Sequence, residues 1–136
     1  MVRPLMTNTV FLAQKAQPAD AGDVAVADDL LDTLKAHEDG CVGMAANMIG
    51  VRKRIICVKD GNRTLLMYNP QILEQVNAYQ TSEGCLSLTG ERPCTRYRRI
   101  KVEYLDENFV HRIKNFSGYT AEIIQHEIDH CNGVVV

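Results

Sequence analysis

No uninterrupted apolar run approaches the roughly eighteen residues that a membrane-spanning helix needs, so the 136-residue chain offers no candidate span. Met1 to Gln17 mixes polar and apolar residues and lacks the compact apolar segment and small-residue cleavage site of a secretory leader, which points to the cytoplasm. There is no basic excess either. Fifteen Lys and Arg face 17 Asp and Glu, the pI is about 6.1, and no nucleic-acid partner is expected. Internal repeats, low-complexity tracts and Gly/Ser linkers are missing and the four prolines are scattered, so residues 1–136 read as a single domain. The five cysteines, Cys41, Cys57, Cys85, Cys94 and Cys131, are odd in number and irregularly spaced. That is poor material for a disulfide framework and suits a reducing compartment, where a thiolate stays free for a metal or for chemistry.

What is present is a clear change of period along the chain. Val24, Ala27, Leu30, Leu31 and Leu34 recur at spacings of one, three and four, predicting an amphipathic helix over residues 21–37 that the Gly40 stop signal closes. Short β-rich runs follow: Arg54 to Val58, Arg63 to Tyr68 across an Asp60-Gly61-Asn62 turn, and Gln71 to Gln80. Arg99 to Leu105 and Phe109 to Asn115 flank Asp106-Glu107-Asn108 and predict one more hairpin. Ser117 is a fair N-cap for a helix running to about Cys131, with Gly133 as its stop. The expected class is α+β: an N-terminal helix, antiparallel β-sheets and a C-terminal helix.

That last helix carries His126-Glu127-Ile128-Asp129-His130, an H-E-x-x-H pattern. On a helix the i, i+4 spacing stacks both imidazoles on one face, about one turn apart, where both reach one metal ion. Glu127, one residue after the first histidine, swings its carboxylate beside the metal's open position, where it can take a proton from water. The bland alternative is a solvated helix end with two chance histidines. Two histidines leave a catalytic metal one protein ligand short, and the usual third ligand is His, Glu or Cys from another segment. Only Cys131 to Val136 follow the motif, with no His or carboxylate, so the third ligand must come from upstream. Cys85, in Glu83-Gly84-Cys85-Leu86-Ser87, follows a glycine that permits a tight backbone and exposes the thiol; a cysteine taken by itself is more often a small buried hydrophobe than a ligand.

Taken together, Glu-Gly-Cys-Leu-Ser some forty residues before Gln-His-Glu-Ile-Asp-His resembles the second and third motifs of the peptide deformylases. Gly43-Met44-Ala45-Ala46-Asn47-Met48-Ile49-Gly50 resembles that family's first motif, G-x-G-x-A-A-x-Q-x-G, at the corresponding place after the N-terminal helix. The resemblance runs in order over roughly residues 21–134. It implies metal-dependent removal of the N-formyl group from N-formylmethionyl peptides and nascent chains. It makes Cys85, His126 and His130 the ligands of one divalent metal, with Glu127 as general acid/base and the Leu86 backbone N–H as a donor to the oxyanion. The implied metal is Fe²⁺ in the cell, with Zn²⁺, Ni²⁺ or Co²⁺ compatible with the same ligands. Val42 and Gly43 match the edge that pairs with the substrate backbone. Ile123, a turn above His126, becomes a candidate wall of the methionine pocket, although an apolar helix residue at that spacing is as often plain core. Arg96 falls near a family arginine expected to pair with Asp129.

Two positions depart from the first motif: Cys41 stands for its first glycine and Met48 for its glutamine. The glutamine would donate a hydrogen bond to the oxyanion, and a thioether cannot donate. Weakened chemistry is therefore expected unless Asn47 or another donor fills the gap. Family members also usually continue beyond the point where Val136 falls. These departures keep open a second reading, a catalytically weak or silent paralogue that retains the metal as a binding or regulatory protein. A zinc endopeptidase is a third, disfavoured by the lack of a downstream ligand.

Overall fold

A computed structural model describes residues 1–85 and 88–135. In chain order it contains a short helix α1 (Thr9–Leu12), helix α2 (Val24–Ala36), strands β1 (Gly43–Ala45), β2 (Ile55–Asp60), β3 (Arg63–Cys85), β4 (Leu88–Leu105) and β5 (His111–Ser117), and helix α3 (Gly118–Cys131). Short 3-10 turns precede α2, over Ala21–Asp23, and follow β1, over Ala46–Ile49. Among the described residues the strands form one sheet in the order β1-β2-β3-β4-β5, antiparallel throughout. The class is α+β, as the sequence predicts, although the strands join one continuous sheet rather than several.

The predicted hairpins are present. Asp60 pairs with Arg63 across the Gly61 turn, where φ is +62°, a conformation that glycine adopts without a Cβ penalty. Leu105 pairs with His111 across the second turn. The two separate strands predicted over residues 63–80 are instead one long strand. Pro70, which cannot donate to a ladder, is absorbed in a register shift between Tyr68 and Gln71. Asn69, at φ +53°, takes up the left-handed residue of that bulge, and its side-chain amide clips both the N–H and the C=O of Ala19, at 2.7 and 2.9 Å.

Ile55 to Val58 of β2 are all buried. Because successive side chains of a strand face opposite ways, a fully buried strand is covered on both sides. Helices α2 and α3 both pack against β2, and their apolar faces supply Leu30, Leu34, Ile124 and Ile128 to the same core. The sheet continues from there into a long β3-β4 ribbon that brings Cys85 back over α3.

Helix α3 starts without a loop. β5 ends at Ser117, in extended conformation, and Gly118 at φ +62° turns the chain directly into the helix. Ser117 occupies the N-cap position but makes no side-chain cap bond. The other end closes as a Schellman motif: Gly133, at φ +76°, donates to the His130 carbonyl and Val134 donates to that of Asp129. These two ends fix the rotation of the helix and hence the direction of its histidines. No helix of the described residues is long and apolar enough to cross a membrane.

Candidate active site

Cys85 at the end of β3 and the last two turns of α3 bring three donor atoms together. Cys85 Sγ lies 3.4 Å from His130 Nε2, and the Nε2 atoms of His130 and His126 are 3.2 Å apart. All three ligand atoms fall within 4.8 Å of one another. Tetrahedral ligation with Zn–N bonds of about 2.0–2.1 Å and Zn–S bonds of about 2.3 Å implies edges of roughly 3.3 Å between nitrogens and 3.6 Å between sulfur and nitrogen. The cluster therefore has the size of a first-row transition-metal site. The helix C-terminus beside it adds a partial negative charge that also favours a cation.

The surroundings favour a single positive charge at this point. Burial works against charge on His126, but hydrogen bonds with Cys85 and Glu83 outweigh it and hold its pKa up to about 10. Burial, with the neighbouring charge of His126, pushes His130 down to about 3 and keeps it a neutral imidazole, the form in which histidine binds metals. Glu127 is 3% exposed, and burial pushes its carboxyl up to about 7, near the range useful to a general acid/base. One of its oxygens, Oε1, has no hydrogen-bond partner among the described residues.

A cleft of about 510 Å³ opens over this cluster. Val42, Gly43, Met48 and Ile123 line it together with Cys85, His126 and Glu127, so these seven residues, each singled out from sequence, border one cleft. Gly43 is there for lack of room. A Cβ on it would lie 2.6 Å from Ile123 Cγ2 and 3.0 Å from Glu127 Oε2. Strand β1, with Gly43, is an edge of the sheet, and Val42 just before it is 37% exposed. Leu86, the expected oxyanion donor, lies outside the described residues.

Met48 is buried, and its Sδ accepts from the Ala45 N–H at 3.4 Å. Asn47 does not replace the missing glutamine as the sequence allowed, because its Nδ2 donates to the His130 carbonyl at 2.9 Å and it does not line the cleft. Cys41 fits at the rim, 8% exposed, with its Sγ 3.0 Å from the Gly43 carbonyl, and burial pushes its thiol up to about 11.

The expected Arg96–Asp129 pair is present at 2.7 Å, but Arg96 does more. Its Nε and Nη2 also grip Glu83, at 2.7 to 3.2 Å, and Glu83 in turn lies 2.8 Å from His126 Nδ1. Burial raises the Glu83 pKa, yet the His126 and Arg96 hydrogen bonds outweigh it and hold the carboxyl well below the usual range. The role of Glu83 was not read from sequence. The available signal was its place two residues before Cys85 on the same face of a strand, where a metal-bound histidine needs a carboxylate for its second nitrogen.

The polypeptide deformylase family profile matches residues 5–136. A peptide deformylase of Clostridium beijerinckii is 48% identical over 136 residues, which is 100% of both chains. Among solved structures, a class I type b peptide deformylase of Acinetobacter baumannii bound to Met-Ala-Ser superposes with a TM-score of 0.88 at 30% identity, covering 99% of this chain and 97% of that one. The peptide deformylase of Thermus thermophilus gives 0.85 at 33% identity, with 99% and 83% covered. With the motifs in order, the donor cluster at tetrahedral spacing and a full-length relative at this identity, the chain belongs to the peptide deformylase family.

Proposed function

We propose that the chain, acting as one catalytic domain over residues 1–136, removes the formyl group from N-formylmethionyl peptides and nascent chains in the cytoplasm. The observation that carries the reading is the clustering of the Cys85, His126 and His130 donors beside the buried carboxylate of Glu127, with Cys85, His126 and Glu127 lining one cleft. Cys85, His126 and His130 would hold a divalent metal, and Fe²⁺ is the ion proposed for the cell. When bound, such an ion supplies Lewis-acid chemistry that polarises a carbonyl and makes water a nucleophile near neutral pH.

The protein's own groups do the rest. The sheet edge at Val42 and Gly43 pairs with the substrate main chain as an added strand, which reads backbone and tolerates varied sequence downstream. Ile123 walls the pocket for the methionine side chain. Glu127 takes a proton from water as the formyl carbon is attacked and returns it to the departing amine, leaving formate and a free N-terminus. Gly43, lacking a side chain, lets the substrate strand and the Glu127 carboxylate approach each other closely. The Leu86 N–H is proposed as a donor to the oxyanion. Support for this substrate comes from the Acinetobacter relative, which was solved with Met-Ala-Ser, the product expected from formyl-Met-Ala-Ser.

The test is formate release from formyl-Met-Ala-Ser by anaerobically purified protein loaded with Fe²⁺ or Ni²⁺, beside Glu127→Ala. Turnover in the wild type and its loss in the variant is the expected result. A metal-loaded, folded wild type that releases no formate would overturn the reading. Metal analysis of the protein as isolated without oxygen tests the assignment of iron.

A further inference from the structure

Besides Glu127 Oε1, two buried polar atoms close to the donor cluster lack partners among the described residues, and they complement each other. His130 is fully buried and turns Nε2 toward Cys85 and His126, leaving Nδ1 with no acceptor. Asn47 is 1% exposed, and its Oδ1 has no donor. The side chain of Asn47 is already anchored on the same residue, because its Nδ2 donates to the His130 main-chain carbonyl at 2.9 Å. That anchor ties the acceptor-bearing side chain of Asn47 to the residue whose ring nitrogen lacks an acceptor, and the two unpaired atoms make no direct bond with each other. A histidine that binds a metal through Nε2 carries its proton on Nδ1 and almost always donates it to an oxygen. His126 obeys this rule through Glu83. An unpaired buried donor and an unpaired buried acceptor would each carry a desolvation cost of about 1–3 kcal/mol.

We infer that Asn47 is the positioning residue of His130: its Oδ1 accepts the His130 Nδ1 proton through one buried water and so fixes the ring with Nε2 toward the metal. The two ligands on α3 are then oriented by different parts of the chain, His126 by Glu83 on β3 and His130 by the 3-10 turn after β1. The turn that carries Asn47 also carries Met48 into the cleft, so one short segment links the substrate side of the site to the metal side. This inference rests on the proposed assignment of His130 as a ligand.

Nitrogen-15 NMR of histidine-labelled protein, titrated with Zn²⁺, tests it without relying on turnover. The expected wild-type result is a metal shift at both Nε2 atoms and a slowly exchanging Nδ1 proton on His130. In Asn47→Leu that proton exchanges fast and Zn²⁺ affinity, from chelator competition, falls about ten- to a hundredfold. A wild-type Nδ1 proton that exchanges as fast as an exposed one, or one unaltered in folded Asn47→Leu, overturns the inference while leaving His130 a ligand. Nε2 signals that do not move with Zn²⁺ overturn both the inference and the ligand assignment. Because the wild-type measurement decides by itself, a variant that fails to fold does not protect the proposal.

Discussion

The carboxylate of Glu83 lies 2.8 Å from Nδ1 of His126 and is gripped from its other side by Arg96, which is itself 4% exposed and reaches on to Asp129. One buried arginine thus ties β3, β4 and α3 together behind the Cys85, His126 and His130 donor cluster. Breaking a buried pair by removing one partner leaves a charge without compensation, at a cost of about 3–5 kcal/mol. Asp129 still holds Arg96 when Glu83 is gone, so the lower end applies. Glu83→Ala is expected to lose about 3 kcal/mol in urea unfolding. Glu83→Gln keeps an acceptor for the His126 ring but not the charge, and its metal affinity should fall at least tenfold in chelator competition. Unchanged affinity in both variants would remove Glu83 from the orientation of His126.

Gly43 has no room for a side chain, since its Cβ would sit 2.6 Å from Ile123 and 3.0 Å from Glu127. Gly43→Ala must push α3 or the β1 edge aside. Overpacking of this kind costs about 1–3 kcal/mol. Because one of the displaced groups is the proposed general base, kcat should fall more than the loss of stability explains. Urea midpoints and kcat measured on the same metal-loaded samples separate the two effects. A variant as stable and as fast as the wild type would show that the close approach is not needed.

Local signals carried the parts of the fold that local physics decides. The i, i+4 histidines, the Gly133 stop and the Gly61 turn are written in neighbouring residues, and the structure places α3 and the first hairpin accordingly. Strand β1 is legible only through the family resemblance, as an edge at Val42 and Gly43. Its three residues, Gly43 to Ala45, become a strand only by pairing with Val58, Cys57 and Ile56, and no local pattern announces that. From sequence one strand is expected to end at Tyr68 and another to start at Gln71, and only the bulge beside Asn69 explains how β3 runs through Pro70, which lacks a ladder donor. The convergence of Cys85 with the histidines came from resemblance, since Cys85 and His126 lie 41 positions apart and the β3-β4 ribbon that closes the distance is long-range structure. Glu83 escaped for the same reason: its partners, Arg96 and His126, come from two other elements.

Met48 stands where the family's glutamine would donate to the oxyanion, and its sulfur instead accepts from the Ala45 N–H. Asn47 is committed to His130, so it supplies no substitute. Removing one oxyanion donor elsewhere costs about a hundred- to a thousandfold in kcat. Restoring one should recover part of that, and Met48→Gln is expected to raise kcat on formyl-Met-Ala-Ser by about tenfold or more, with KM little changed. Equal turnover of Met48→Gln and wild type, both loaded with Ni²⁺, would mean that the remaining donors already saturate the oxyanion.

Asp106 gives a pH signature away from the active site. Its carboxylate accepts from the Val110 and Asn108 N–H groups and from Arg112, which together hold its pKa below the ordinary 3.8 despite some burial. A carboxyl whose pKa is lowered by folding adds stability that is fully present above its unfolded pKa and disappears as pH falls through the folded one. Asp106→Asn keeps an oxygen for the two N–H groups but loses the charge. Its deficit against the wild type should therefore be largest near neutral pH, begin to shrink as pH drops to about 4, and vanish at more acid pH. Urea unfolding of both proteins at matched pH measures this difference directly, with the other titrating groups cancelling between them. A deficit that stays constant with pH would assign the role of Asp106 to turn geometry alone.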